Sequence, residues 1–233
     1  MSSSPPAPLA SFADGVWLAV TPVSFLGLRL TATMTVLRLG DGSLLLSSPV
    51  PLTPQLRDAV LALGPVAHLY APNLFHHQWL GEWVKAFPSA RVHAPAGLEK
   101  KQPGLRIDRV HGAAPEPAFS GVVDEVPIAG FRLRETALLY RPAQTLVVAD
   151  LVSNIGRPAH AWTAIYTRSM GFYGRIALSR MLRWTAFDAP QAAAHSVDVV
   201  LGHAFERLVV GHGEPLTTGG HDAIATAYGW LSR

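Results

Sequence analysis

The amino-acid sequence predicts an α+β protein built as a four-layer αβ/βα sandwich, in which two β-sheets face each other and helices cover them outside. Three observations lead to this fold class. Hairpin-like strand patterns open each half of the chain, helical patterns follow in both halves, and no short fixed-period repeat is present. The 233 residues, 49% of them hydrophobic, suffice for one large domain. We expect a flexible N-terminal tail over residues 1–11 and a folded domain over residues 12–233.

The first half of the chain begins with strands and continues with helices. Gly40-Asp41-Gly42 separates two β-rich runs and predicts a hairpin, since Asp-Gly supplies the positive φ values that a tight turn needs. Thr53 as N-cap and Pro54 as first helical residue predict a helix, which Gly64-Pro65 ends. Further helices are expected over residues 77–87 and 95–101, and strands over residues 15–20, 31–39, 43–47, 66–70 and 91–94.

The second half repeats this order. A turn at residues 141–143 joins two strand patterns, and residues 156–187 form a long insert, rich in arginine and aromatic residues, that is predicted to be helical. The predicted strands of this half are residues 122–126, 132–140, 145–149 and 207–210, and the closing helix is residues 221–231.

Composition excludes several classes of protein and site. The sequence has no cysteine, which excludes disulfide frameworks, thiol nucleophiles and cysteine-based metal sites, so any metal must be held by His, Asp or Glu. The net charge of +3 is too small to indicate a nucleic-acid partner. The N-terminus lacks the pattern of a signal peptide, and no apolar run reaches the ~18 residues of a membrane span. We expect a cytoplasmic protein without a membrane span.

Side chains that can ligate a metal follow three of the predicted strands. These candidate ligands are His76, His77, Asp150 and His212. Neutral imidazole and carboxylate are common ligands of zinc and other divalent metals. Gly211 and Gly213 flank the last of these histidines, which permits close backbone approach and leaves the imidazole accessible. The sequence therefore indicates a metal site at the strand ends.

Two of these positions also have interpretations that need no metal. One histidine of the His76–His77 pair would then be an exposed polar residue at a helix N-terminus. Asp150 would cap the next helix or turn. His212 fits such an interpretation less well, because a buried structural histidine rarely needs glycine on both sides.

The insert has an unusual charge pattern. From Leu151 to Phe187 there is no Asp or Glu, whereas five arginines alternate with aromatic residues. Arginine suits carboxylate or phosphate groups, and the insert lies between Asp150 and His212, so we expect it to cover the site and bind an anionic substrate. The arginines expected to do so are Arg168, Arg175, Arg180 and Arg183. The alternatives are a solvated amphipathic helix, an oligomer contact or an anionic-membrane surface.

The order of these motifs resembles the metallo-β-lactamase superfamily, and more closely its uncharacterised branch known as DUF4336. The resemblance covers residues 12–233 and follows a hairpin, a histidine-rich turn, an aspartate after a strand and a Gly-His-Gly segment. The stretches that carry it are Thr35-Val-Leu-Arg38, Asp41-Gly-Ser-Leu44, Ser48-Pro-Val-Pro-Leu-Thr53, Ala71-Pro-Asn73, His76-His77, Leu80-Gly-Glu82-Trp83, Arg141-Pro, Thr145-Leu, Asp150 and Gly211-His212-Gly213.

The chain departs from the dinuclear ligand set of this superfamily. Asp150 and His212 match its bridging aspartate and final histidine, whereas Ser48-Pro49-Val50 replaces its Asp-Thr-Gly and no histidine stands in residues 130–136. The positions of its His-x-His-x-Asp-His turn are held by Asn73, Phe75, His77 and Gln78. The resemblance thus implies a metal-dependent hydrolase with a degenerate, mononuclear site.

We therefore expect one divalent metal, with zinc first and iron or manganese as alternatives, held by some of the candidate ligands. Asp150 and Glu82 are the expected catalytic residues, with Glu82 acting as a base or orienting a ligand, and Asn73 is expected to contact substrate. The expected substrate is an ester, lactone, thioester or phosphoester. The alternative is a non-catalytic ligand-binding or assembly module without a complete metal site, and a homo-oligomer is compatible with either.

Overall fold

The computed structural model describes residues 9–112 and 114–231, and its first sheet comes from the N-terminal half of the chain. Its strands are neighbours in chain order. The first four pair antiparallel, and each of the last three runs parallel to the strand before it. The strands are β1 (Ala10–Ala13), β2 (Val16–Phe25), β3 (Leu28–Arg38), β4 (Leu44–Ser47), β5 (Val66–Tyr70), β6 (Arg91–Ala94) and β7 (Arg109–Val110).

The second sheet comes from the C-terminal half. Its strands are β8 (Val123–Pro127), β9 (Thr136–Tyr140), β10 (Thr145–Val147) and β11 (Arg207–Val209). They lie in the spatial order β11, β10, β9, β8, and only the β10–β11 pair is parallel. Because β10 and β11 run in the same direction, the residues that follow them reach the same edge of the sheet.

Seven α-helices lie in the described ranges, most of them on the outer faces of the two sheets. They are α1 (Pro54–Leu61), α2 (Leu80–Ala86), α3 (Leu98–Lys101), α4 (Ala161–Ser169), α5 (Arg180–Thr185), α6 (Pro190–Leu201) and α7 (Gly220–Tyr228). Within the described ranges, no helix has both the length and the apolar character that crossing a membrane requires.

Three apolar cores hold these layers together. Leu45 and Leu138 belong to the core between the two sheets. Val60 of α1 and Trp83 of α2 pack with the outward-facing residues of the first sheet. Val197 of α6 belongs to the corresponding core of the second sheet, which it shares with α7. The layers therefore run helix, sheet, sheet, helix, and the α+β four-layer sandwich predicted from the sequence is confirmed.

The turn chemistry read from the sequence is present in the structure. Gly42 adopts a φ of 83°, and the Asp41 carboxylate accepts a hydrogen bond from the backbone N–H of Ser43 at 2.9 Å. The Thr53 hydroxyl accepts a hydrogen bond from the Leu56 N–H at 3.2 Å and so caps α1. Local hydrogen bonding thus fixes these element boundaries, as expected.

Several boundaries differ from the prediction, and strand β7 and helix α6 were not predicted. Strand β9 begins at Thr136, four residues late, since Arg134 has a φ of 53° that a strand cannot accommodate. Helix α2 begins at Leu80, because turns occupy the residues before it. The insert at residues 156–187 contains two short helices, α4 and α5, in place of one long helix. Strand β1 begins at residue 10, inside the predicted tail, whose residues 1–8 lie outside the described residues.

Candidate metal centre

Three predicted ligands meet at one edge of the sandwich. His76 comes from the turn after β5 of the first sheet, whereas Asp150 and His212 follow β10 and β11 of the second. The Nε2 atom of His76 lies 3.5 Å from Oδ2 of Asp150, and the Nε2 atom of His212 lies 3.5 Å from Oδ1. One ligand atom from each residue lies within 4.8 Å of the others. The strand ends therefore bring two imidazoles and one carboxylate to a common point.

The spacing of these atoms fits a shared metal ion. Two ligand atoms that each lie about 2.1 Å from a tetrahedral zinc are separated by about 3.4 Å. A direct N–H···O hydrogen bond would bring them to about 2.9 Å instead. The observed 3.5 Å separations agree with the metal geometry, and the donor set of two histidines and one aspartate suits zinc, iron or manganese.

A hydrogen bond to its outer nitrogen orients each imidazole. The Nδ1 atom of His212 lies 2.7 Å from the Thr31 carbonyl oxygen. A carbonyl only accepts, so Nδ1 carries the proton, and Nε2 is the nitrogen that faces the centre and can ligate a metal. The Nδ1 atom of His76 lies 2.7 Å from the Ser48 hydroxyl. Both histidines are therefore held in orientations that suit ligation.

The Asp150 carboxylate interacts electrostatically with the imidazoles of His76 and His212. Burial by itself would raise the pKa of the Asp150 carboxyl, but the neighbouring His76 and His212 lower that pKa well below its usual value. Burial likewise opposes charge on His212, yet the adjacent Asp150 carboxylate raises the pKa of this imidazole above its usual value. The ionised aspartate thus provides the negative charge that attracts a cation to this point.

The glycines around His212 are required by close backbone contacts. A Cβ atom on Gly211 would lie 2.6 Å from Cε1 of His76 and 2.7 Å from the Ala149 carbonyl oxygen. Gly213 has a φ of 100°, and a Cβ atom there would overlap the backbone of Asn154. The Gly-His-Gly segment therefore needs both glycines to bring its histidine against the aspartate.

The Asn73 side chain is hydrogen-bonded within the protein. The sequence suggests a substrate contact, but the side chain is fully buried and both ends of its amide are engaged. Its Nδ2 group donates to Glu135 at 3.0 Å and to Asp150 at 2.8 Å, while its Oδ1 accepts from the backbone N–H groups of Phe75 and His76. Asn73 is thus a positioning residue that links the His76 turn to Asp150.

Glu135 is the main residue that the sequence analysis did not assign to the site. It is 1% exposed and accepts hydrogen bonds from the backbone N–H groups of Ala149, Asp150 and Leu151. Burial, and after it the nearby Asp150 carboxylate, raises the pKa of Glu135. The sequence did contain a signal for this residue, because it places a glutamate beside an apolar strand. Glutamate is almost never buried without partners, so such a position indicates a buried polar site.

His77 and Glu82 do not belong to the three-residue cluster. The His77 side chain is nearly buried, and burial lowers its pKa with a further contribution from Lys101. The carboxylate of Glu82 accepts a hydrogen bond from the Leu52 N–H at 2.9 Å. The expected metal-ligand role of His77 and the expected catalytic role of Glu82 therefore find no contact that supports them.

The four arginines of the insert also lie in other surroundings. Arg168 stacks on Tyr173, with its guanidinium carbon 3.8 Å from the ring centroid. The other three line a cavity beside α7 whose walls include no residue of the cluster; they are Arg175, Arg180 and Arg183. The expectation that these arginines cover the metal centre is therefore not supported.

A second group of buried ligands, His68, His93 and Glu116, is already satisfied by protein partners. Arg109 donates to Nδ1 of His93 at 3.4 Å, so Nε2 of His93 carries the proton and donates to Nδ1 of His68 at 2.9 Å. Arg91 pairs with Glu116 at 2.9 Å. Burial lowers the pKa of His93 to about 2. Two neighbouring guanidinium groups and engaged imidazoles make this group a poor cation site.

The fold was compared with known proteins. No family model matches the chain, and no curated protein matches its sequence. A metallo-β-lactamase from Pontibacter korlensis superposes with a TM-score of 0.63 and 13% identity, covering 97% of this chain and 98% of that one. The mono-zinc form of the metallo-β-lactamase FIM-1 from Pseudomonas aeruginosa gives a TM-score of 0.61 and 12% identity, with 98% and 97% covered.

A third solved structure, the Flv1 flavodiiron core from Synechocystis sp. PCC6803, gives a TM-score of 0.67 and 14% identity over 96% of this chain and 60% of that chain. Identities this low establish architecture and leave the chemistry of the site to be argued from its residues. By its two facing sheets, its outer helices and these superpositions, the chain has the metallo-β-lactamase fold.

Proposed function

We propose that this protein is a metal-dependent hydrolase with a mononuclear centre held by His76, Asp150 and His212. The observation that carries the proposal is the spacing of the cluster, in which both imidazole Nε2 atoms lie 3.5 Å from the Asp150 carboxylate. The motif order that resembles the DUF4336 branch supports the same assignment. Zinc is the first candidate, with iron and manganese as alternatives, because all three accept imidazole and carboxylate ligands.

The residues of the centre have distinct roles in this proposal. When bound, a divalent metal would polarise a carbonyl or phosphoryl oxygen and lower the pKa of a coordinated water to about 7. His76 and His212 would hold the metal through their Nε2 atoms, and the Ser48 hydroxyl and the Thr31 carbonyl fix the orientations of the two rings. Asp150, which accepts a hydrogen bond from Asn73, would also accept a proton from an attacking water. Esters, lactones, thioesters and phosphoesters are the proposed substrates.

A single metal is proposed because the first two positions of the superfamily's histidine turn cannot ligate. Asn73 occupies one of them with its amide fully engaged in hydrogen bonds, and Phe75 occupies the other with no donor atom. The FIM-1 structure is a mono-zinc form, which is a precedent for one metal in this fold. A small-molecule substrate and a cytoplasmic location belong to the proposal as well.

The second candidate function is a non-catalytic ligand-binding or assembly module. It is favoured by the same replacements, since a chain that has lost ligands can keep the fold without the chemistry. The two candidates differ in whether metal is bound and whether turnover depends on it, and a homo-oligomer would be compatible with both.

The test compares metal content and hydrolysis in three purified proteins. Wild type, Asp150→Ala and the control Asp58→Ala are prepared without chelator, and metal per chain is measured by mass spectrometry. Asp58 is a matched control because it is an exposed aspartate that pairs, among the residues the structure describes, only with Arg57. Each protein is then assayed with a p-nitrophenyl ester, a lactone, a thioester and bis-p-nitrophenyl phosphate.

The proposal expects about one metal per chain in wild type and in Asp58→Ala, and almost none in Asp150→Ala, with hydrolysis lost in parallel. Stoichiometric metal without turnover of any substrate would favour the binding module. Metal content that is unchanged in Asp150→Ala, or absent from wild type after supplementation with zinc, iron and manganese, would overturn the assignment of the centre.

A further inference from the structure

A basic cavity of about 840 Å³ lies between the insert and helix α7. Arg175, Arg180 and Arg183 line it from the insert, and Asp222 and Trp230 line it from the C-terminal segment. The cavity shares no lining residue with the candidate metal centre, so it is a separate place on the molecule. Its charge is the feature that calls for an explanation.

Two of the guanidinium groups approach the same face of Gly171. A Cβ atom added to Gly171 would lie 3.1 Å from Nε of Arg180 and 3.3 Å from Nη2 of Arg175. Gly171 also has a φ of 80°, a conformation that side-chain-bearing residues rarely adopt. Like charges on the same face of one residue repel each other, and an anion between them would relieve this repulsion. The backbone at Gly171 therefore makes room for two arginines at one spot.

Neutral partners hold these arginines in place. Arg175 Nε donates to the Gly171 carbonyl at 2.6 Å, and Arg180 Nη1 donates to the Ser169 carbonyl at 3.1 Å. Arg183 lies over the Trp230 ring with its guanidinium carbon 4.1 Å from the centroid. These contacts use only part of each guanidinium group, so further N–H donors remain for a ligand.

No carboxylate neutralises the cavity. Across residues 9–112 and 114–231, none of its three arginines comes within 4.0 Å of an acidic side chain. The one acid in the lining, Asp222, has a side chain that is 95% exposed and contacts His221. Three cations therefore face one carboxylate that points to solvent, which leaves the cavity with excess positive charge.

We propose that this cavity binds a small molecule that carries oxyanion groups, phosphoryl or carboxylate, with one such group between Arg175 and Arg180. The planar guanidinium fork matches both kinds of oxyanion with paired hydrogen bonds. A volume of about 840 Å³ exceeds the size of one phosphate, so the ligand is a larger molecule bearing such groups. The proposal does not depend on the metal centre or on hydrolase activity.

The experiment measures binding of three probe anions by isothermal titration calorimetry at constant ionic strength. The probes are inorganic phosphate, pyrophosphate and citrate, which separate phosphoryl from carboxylate recognition. Titrations use Asp150→Ala protein treated with chelator, so that an anion cannot bind through a metal. The test variant is Arg175→Gln/Arg180→Gln, and the control is Arg157→Gln/Arg168→Gln, which removes the same charge from the same insert outside the cavity lining.

We expect saturable binding of at least one probe, with the Kd raised ~10-fold or more in the test variant, since each charge-assisted hydrogen bond contributes about one such factor. The control should change the Kd by less than ~2-fold, and circular dichroism should show that all variants are folded. Absence of saturable binding for all three probes, or equal Kd values in the test variant and wild type, would overturn the proposal.

Discussion

Replacing Glu135 by Gln is expected to weaken both the fold and the candidate metal centre. The carboxylate accepts four hydrogen bonds inside the protein: Oε1 from the N–H groups of Ala149 and Leu151, and Oε2 from the Asp150 N–H and the Asn73 amide. Glutamine keeps one oxygen and turns the other acceptor into an NH2 donor. Two of the four buried N–H donors would then face the new NH2 group, which is itself a donor, and would lose their acceptor.

The structure sets the size of the effect. Each buried donor left without an acceptor costs about 1–3 kcal/mol, so two cost about 2–6 kcal/mol. Removing a charge beside the Asp150 carboxylate offsets part of this cost, because like charges in a buried site repel. We therefore expect the free energy of unfolding to fall by about 2–4 kcal/mol. Displacement of Asp150 should also weaken metal binding ~10–100-fold.

The assay is urea denaturation followed by tryptophan fluorescence, with and without chelator, combined with a zinc titration. Glu82→Gln is the matched control, because its carboxylate accepts one exposed backbone hydrogen bond and its loss should cost less than about 1 kcal/mol. A Glu135→Gln protein as stable as the control, with unchanged zinc affinity, would refute the positioning role of this glutamate.

Three further outcomes are expected. His93 has a pKa lowered to about 2 by burial, whereas an unfolded histidine titrates near 6.5, so the unfolded chain binds the extra proton between these values. The contribution of His93 to stability should therefore be full above about pH 6.5 and fall by about 2 kcal/mol at pH 5 in chelator-treated protein. Burial also lowers the pKa of His111, to about 3, which adds to the fall. Urea midpoints that do not change with pH would contradict this. Ser48→Ala should lower zinc affinity ~10-fold while the protein stays folded, as measured by competition with a chromogenic chelator. Gly213→Ala should lower the melting temperature by several degrees, about 2–4 °C per kcal/mol, because its Cβ meets the Asn154 carbonyl, whereas the open position Gly104→Ala should not.

The architecture and two of the three cluster residues could be predicted from sequence because they depend on local rules. Asp150 and His212 each follow an apolar strand directly, and the ends of parallel strands meet at one sheet edge. The choice between His76 and His77 could not be made in this way. It depends on the turn that the Asn73 side chain holds by accepting two backbone N–H groups, and adjacent side chains in a turn point in different directions.

The other differences come from contacts between distant parts of the chain. Glu135 reaches the backbone of residues 149–151 through the packing of β9 against β10, which no local pattern encodes. The arginine-rich insert and α7 line the same cavity, and Arg183 lies over the ring of Trp230, which follows α7. The arginine is therefore directed away from the cluster. Composition suggested that the insert binds anions, which stays a prediction, but the place of its arginines depends on how the insert breaks into two helices.

The anchoring of His212 has a consequence for how the molecule assembles. Its ring and the N–H of Gly213 bond to Thr31, which is 181 residues away along the chain from the histidine. The last ligand can therefore reach its place only after the C-terminal sheet has packed against the first sheet. A metal ion that bridges His76 and His212 would join the two sheets in the finished protein. The free energy of metal binding would then stabilise the contact between the two sheets as well as support catalysis. The stability of the folded protein would therefore depend on the concentration of available metal.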